Sequence, residues 1–124
     1  MKYAIIIARV LLGLMVAVFG SNAFLHFIPT PQMEGPAGAF MGALFSSGYI
    51  YAVAALQVIG GLLLLLGARF VALGLTLLGP VIVNIMLYHI FLDRNGLPVA
   101  FVVLLLSLFL LWVYRFKFPN IFQV

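Results

Sequence analysis

The stretch VNIMLYHIFLDRNG, residues 83–96, puts Asn84, Tyr88, His89, Asp93 and Arg94 close together in a chain that is 67% hydrophobic and only 6% charged. An imidazole exchanges protons near neutral pH, and a carboxylate one helical turn away can orient it or pass protons on. His89 and Asp93 are therefore the candidate catalytic pair. Carboxamides, a phenol and a second imidazole can hydrogen-bond the carbonyl or hydroxyl groups of a ligand. Asn22, His26, Gln57, Asn84 and Tyr88 supply those groups and are the candidate ligand-binding set. Each also has a structural explanation: Asn and Gln bridge membrane helices, Tyr anchors at interfaces, and Asp93-Arg94-Asn95-Gly96 reads as a solvated turn.

Other chemistries are excluded or weak. The chain contains no cysteine, so a thiolate nucleophile, a persulfide and a disulfide relay are ruled out within it. His26 and His89 are the minimum for bis-histidine haem ligation, but two histidines without a spacing motif are weak evidence for it, and no metal site is expected. The net charge of +4 comes from six cations and two anions, with no basic, aromatic-interleaved patch of the kind that binds nucleic acid.

The elements that must position these residues are membrane helices. A soluble domain of 124 residues cannot hide this much apolar surface. The apolar runs predict an all-α integral membrane protein, one domain over 1–124, with spans at about 3–28, 48–67, 70–92 and 97–114. The first run resembles a signal peptide ending in GSNA. Arg9 interrupts it and apolar residues continue to Ile28, so a retained helix is expected. Pro29 and Pro31 end it, Asp93 and Gly96 end the third, and Pro98 suits the first turn of the fourth. Between spans one and two, Ala37, Phe40, Met41, Leu44 and Phe45 repeat at helical spacing between Pro36 and Gly48. A short amphipathic helix is expected there, an interfacial anchor or a lid. Short connections predict a four-helix antiparallel bundle.

Charge sets the expected orientation. Lys2, Arg9, Arg69, Arg115 and Lys117 fall at one set of helix ends. The other loops hold Glu34, Asp93 and one cation, Arg94. Both termini should be cytoplasmic, in the plasma membrane. Arg9 and Arg69 should set topology and meet headgroups, and at 1.5 Å per residue they lie roughly 26 and 30 Å from His26 and His89. Asn22, Gln57 and Asn84 lie deeper than the histidines and should point inward, where they can find partners. Gly60, Gly61, Gly67, Gly74 and Gly79 should allow close helix approach. Pro80 should kink the third span and free a carbonyl near residue 76, which Thr76 can help to satisfy.

The phrases ARVLLGLMVAVFGSNAFLHFIP, SSGYIYAVAALQVIGGLLLLLGARFVALGLTLLGPVIVNIMLYHIFLD and, within the latter, LGPVIVNIMLYHIFLD at 78–93 resemble the DoxX-like (DoxX/DoxD) family of small four-helix membrane proteins. The resemblance implies a subunit linked to quinone-reducing or quinol-oxidising complexes, or one that accompanies redox partners. Gln57 departs from the pattern, because many relatives carry a glutamate in an E-x-x-x-G phrase there; a carboxamide can hydrogen-bond but cannot titrate. The expected function is a quinone-associated redox subunit that binds a lipophilic ligand in the outer half of the bundle. Electrons would come from a redox partner subunit or bound cofactor, since no flavin or metal motif is present. The alternative is a non-enzymatic scaffold that docks a partner or forms a homodimer, with polar residues serving helix packing. The residues do not separate a quinone from a sterol or fatty chain.

Overall fold

The computed structural model describes residues 1–25 and 34–120, with Pro119 and Asn120 described by backbone alone. The described residues form helices and short connections, with no strand among them. Helix α1 is Lys2–Leu25, α2 is Gly35–Ser47, α3 is Tyr49–Leu66, α4 is Val71–Phe91 and α5 is Leu97–Val113. Single 3-10 turns at Ala68–Phe70 and Arg94–Gly96 join α3 to α4 and α4 to α5. Four helical segments are long and apolar enough to cross a membrane: Lys2–Leu25, Tyr49–Leu66, Ala68–Phe91 and Arg94–Val113. They fall within a few residues of the expected spans. The expected end of the first, residues 26–28, lies outside the described residues.

The expected short helix is present as α2. Pro36 occupies its first turn, where a missing N–H leaves no bond unmade. Gly48 ends it at φ 79, a left-handed conformation that glycine adopts without a Cβ clash, and its N–H bonds to the Phe45 carbonyl. Ala37 is the buried anchor, with Met41 and Leu44 half-buried on the same face.

Each long helix packs against two others: α1 on α3 and α5, and α4 on α3 and α5. One leucine from each, Leu12, Leu64, Leu78 and Leu110, is fully buried in a common core. The closest crossing is α1 on α3, where backbone meets backbone. A Cβ on Gly13 would lie 2.9 Å from the Gly61 carbonyl oxygen, and one on Gly61 would lie 2.7 Å from the Gly13 carbonyl oxygen. Adjacent residues of a helix are rotated by about 100°. Gly60 therefore turns to α4, where its carbonyl oxygen lies 3.0 Å from a Cβ built on Gly74. Gly67 and Gly79, by contrast, have nothing within 4 Å of such a Cβ and serve no close approach.

Arg9 reaches across to α3. Its Nη1 donates to the carbonyl oxygens of Leu64 at 2.6 Å and Leu65 at 3.4 Å. These carbonyls belong to the last turn of α3, which has no further N–H groups to offer them. A guanidinium there also meets the negative end of the helix dipole. Arg69 stacks 5.7 Å over the Phe70 ring, and Arg115 packs 4.6 Å from Trp112 and 4.5 Å from Phe116.

Candidate functional site

The polar stretch forms an elbow between α4 and α5. At the end of α4, the N–H groups of Leu92 and Asp93 both donate to the Tyr88 carbonyl, at 2.8 and 3.1 Å. The chain then extends at Asp93, φ −145 and ψ 95, and turns. The Asp93 carboxylate accepts the Asn95 N–H at 3.2 Å, so this side chain caps the turn. Arg94 Nε donates back to the Ile90 carbonyl at 3.2 Å.

His89 is held from two sides. Its Nδ1 lies 2.9 Å from the Asp93 carbonyl oxygen. A carbonyl oxygen only accepts, so Nδ1 carries the hydrogen and the pair assigns the tautomer. Gly96, brought back by the turn, lies directly against the imidazole: a Cβ there would overlap the ring, colliding with Cε1. The contact to His89 comes from the Asp93 backbone carbonyl and not, as expected, from the carboxylate, which accepts the Asn95 N–H. With Nδ1 engaged, Nε2 is the atom left to exchange a proton. It is an acceptor in the neutral ring and a donor in the imidazolium.

Aromatic rings flank the site. Tyr88 meets His89 edge-on at 5.1 Å, and Phe40 of α2 lies 5.6 Å from Tyr88. Tyr51 of α3 is likewise approached by Phe24 at 5.4 Å and by Phe45 at 6.2 Å. Helix α2 thus brings rings onto both α3 and α4.

The candidate residues do not converge on one interior surface. Gln57 is half-buried at the α1–α3 crossing, where its Cβ lies 2.8 Å from a Cβ built on Gly20. Asn22, also half-buried, is on α1 two residues beyond Gly20. Beside them Ser21, Phe24, Leu25, Ala55, Val58 and Ile59 line an open, largely apolar groove of about 370 Å³. Tyr88, His89 and Asp93 belong to α4 and its elbow. His26 lies outside the described residues, so a pairing with His89 is not described. No group of three His, Asp or Glu side chains suited to a metal occurs among the described residues.

Asn84 departs from expectation. It is exposed on the outer face of α4, in line with exposed Thr76 and Pro80. The inward face is taken by Gly74, Leu75, Leu78, Val81, Ile82 and Met86, and packing of that stripe on α3 and α5 fixes the rotation of the helix. The helix continues through Pro80. The Thr76 hydroxyl donates to the Ala72 carbonyl at 2.8 Å and so does not serve the carbonyl that Pro80 leaves free.

Sequence reasoning missed the grip of Arg9 on α3 and the seat that Gly96 makes for His89. A charge placed nine residues into the first apolar run was the only signal for the former. Comparison with protein-family models, curated proteins and solved structures finds no match in any of the three.

Proposed function

We propose that this chain is a DoxX-like integral membrane protein that associates with a quinone and serves as a subunit of a redox complex. The observation that carries the reading is His89: an imidazole at the end of an apolar helix, fixed in one tautomer by the Asp93 carbonyl and seated on Gly96. Quinone reduction takes two electrons and two protons. A redox partner subunit supplies the electrons; the Nδ1–H tautomer of His89 takes a proton from solvent at Nε2 and, as the imidazolium, passes it to a quinone carbonyl, and solvent supplies the second proton. The Tyr88 and Phe40 rings provide an aromatic wall beside it.

The membrane orientation belongs to the same proposal. Arg9 near the start of α1 reaches the end of α3, while Phe40 of α2 reaches Tyr88 near the end of α4. This supports an antiparallel bundle with its basic end in the cytoplasm and its α2–elbow end outside the plasma membrane. The open apolar groove lined by Ser21, Phe24, Leu25, Ala55, Val58 and Ile59 is suited to a lipophilic tail on that outer half, with Asn22 and Gln57 next in sequence to its lining residues.

The scaffold reading has its own support. Arg9, Gly13, Gly60 and Gly61 are all spent on helix contacts, and Asn84 faces away from the interior. Purification in mild detergent, followed by extraction and mass spectrometry of bound lipophiles, separates the two. A stoichiometric quinone that is lost in His89→Ala supports the redox reading. Bulk lipid alone, in wild type and variant alike, rejects it in favour of the scaffold.

A further inference from the structure

Asn84 is a carboxamide on the outside of a membrane-spanning helix. It lies seven residues before Phe91, the end of α4, which is roughly 10 Å inside the apolar layer at 1.5 Å per residue. It has no hydrogen-bond partner among the described residues. Lipid tails offer none, and an amide left without a partner in an apolar medium is strongly disfavoured. Val83 and Leu87 flank it at 58% and 47% exposure, so no other described helix covers this face. About two turns closer to the start of α4 the Thr76 carbonyl, deprived of its N–H by Pro80, adds a second acceptor to the stripe.

We infer that this face of α4 binds a second copy of the chain, in a two-fold dimer whose centre is an Asn84–Asn84 pair. Two features select this occupant. Copies inserted in the same direction carry every residue at the same depth, so a second copy necessarily brings a polar partner to the level of Asn84. A carboxamide is also self-complementary. Nδ2 of each copy donates to Oδ1 of the other, giving two reciprocal bonds across the axis. Gly13, Gly20, Gly60, Gly61 and Gly74 are consumed within the chain, at the α1–α3 and α3–α4 crossings. The inference rests on the membrane reading and is independent of the quinone.

The chain has no cysteine, so single thiols can be introduced without background. Val83→Cys and Leu87→Cys should cross-link to disulfide dimers in native membranes under mild oxidation. Leu62→Cys on α3 and Leu105→Cys on α5, exposed on other faces, should not. In phosphatidylcholine vesicles, Förster transfer between labelled copies should report a dimer weakened about 3- to 30-fold by Asn84→Leu, the range for an interhelical hydrogen bond, and largely kept by Asn84→Gln. Asn84 makes no hydrogen bond among the described residues that its replacement by leucine would break, so Asn84→Leu should still fold. Equal cross-linking from all four positions, a monomer at every protein-to-lipid ratio, or a dimer unchanged by Asn84→Leu overturns the inference. Extraction of the protein by alkaline carbonate would instead overturn the membrane reading beneath it.

Discussion

Gly96 shows how one missing methyl group decides the chemistry of a neighbour. The imidazole of His89 occupies the space a Cβ would fill, so Gly96→Ala should force the ring off its seat. Overpacking of this kind costs about 1–3 kcal/mol, which a four-helix core should survive. On the proposed function, the expected outcome is a folded protein that no longer binds quinone and whose His89 imidazole resonances shift by NMR. Asp93→Asn should do little by comparison. Asparagine also caps a turn, and the His89 contact is to the backbone carbonyl. Retention of ligand in Asp93→Asn, measured by the same extraction, checks that assignment. Arg9→Gln removes a charged donor from the last turn of α3 and should destabilise the protein by about 1.5–3 kcal/mol in an equilibrium unfolding titration in mixed micelles. At this scale the sequence was legible in residue type but not in direction. His89 and Asp93 stood out by polarity. That a main-chain oxygen, and not the carboxylate, would meet the ring follows from the turn geometry at 93–96, which no side chain announces.

Among the helices, the close crossings predict an ordered set of glycine substitutions. Gly61→Ala drives a methyl group against the Gly13 backbone and Ala17, and should cost about 1–3 kcal/mol. Gly79→Ala meets nothing within 4 Å and should be neutral or stabilising, by up to about 1 kcal/mol from the better helix propensity of alanine. Parallel unfolding titrations of the two variants test the contrast, and similar losses at both positions would refute the crossing geometry. Element positions were read well because length and punctuation set them: Pro36 and Gly48 bracket α2, and Gly67, Asp93 and Pro98 separate the spans. The rotation of α4 was not readable. A helix apolar on nearly all sides carries no hydrophobic stripe to say which face is buried. Leu78 against Gly60 and Gly74 against α3 decide it, and those are contacts between segments remote in sequence. Asn84 is carried outward as a by-product of that packing.

For the whole molecule, the distribution of charge predicts topology. Thiols introduced as Lys2→Cys and Lys117→Cys should be labelled by an impermeant maleimide only from the cytoplasmic side, and Arg94→Cys only from outside. Labelling of Lys2→Cys and Lys117→Cys from opposite sides would break the four-span arrangement. The all-helical class was legible because 67% hydrophobic residues and long uncharged runs call for helices long and apolar enough to cross a membrane. The joint surface expected for all the polar candidates was less legible. Ring closure places α1 against α3 and α5, which separates the Asn22–Gln57 seam from the His89 elbow.

The hold of Arg9 on α3 also bears on the order in which the protein is made. Its acceptors, the carbonyls of Leu64 and Leu65, are synthesised some 55 residues later. Until α3 emerges, α1 carries a guanidinium with no carbonyls to receive it, in a segment that must leave the insertion machinery for lipid. Biogenesis should therefore pause with α1 retained beside the insertase until α3 arrives and the two are released together. Ribosome-bound chains that end before Leu64 should stay in cross-linking distance of that machinery, and chains long enough to expose Leu65 should not. Arg9→Leu would let α1 depart alone and remove the pause.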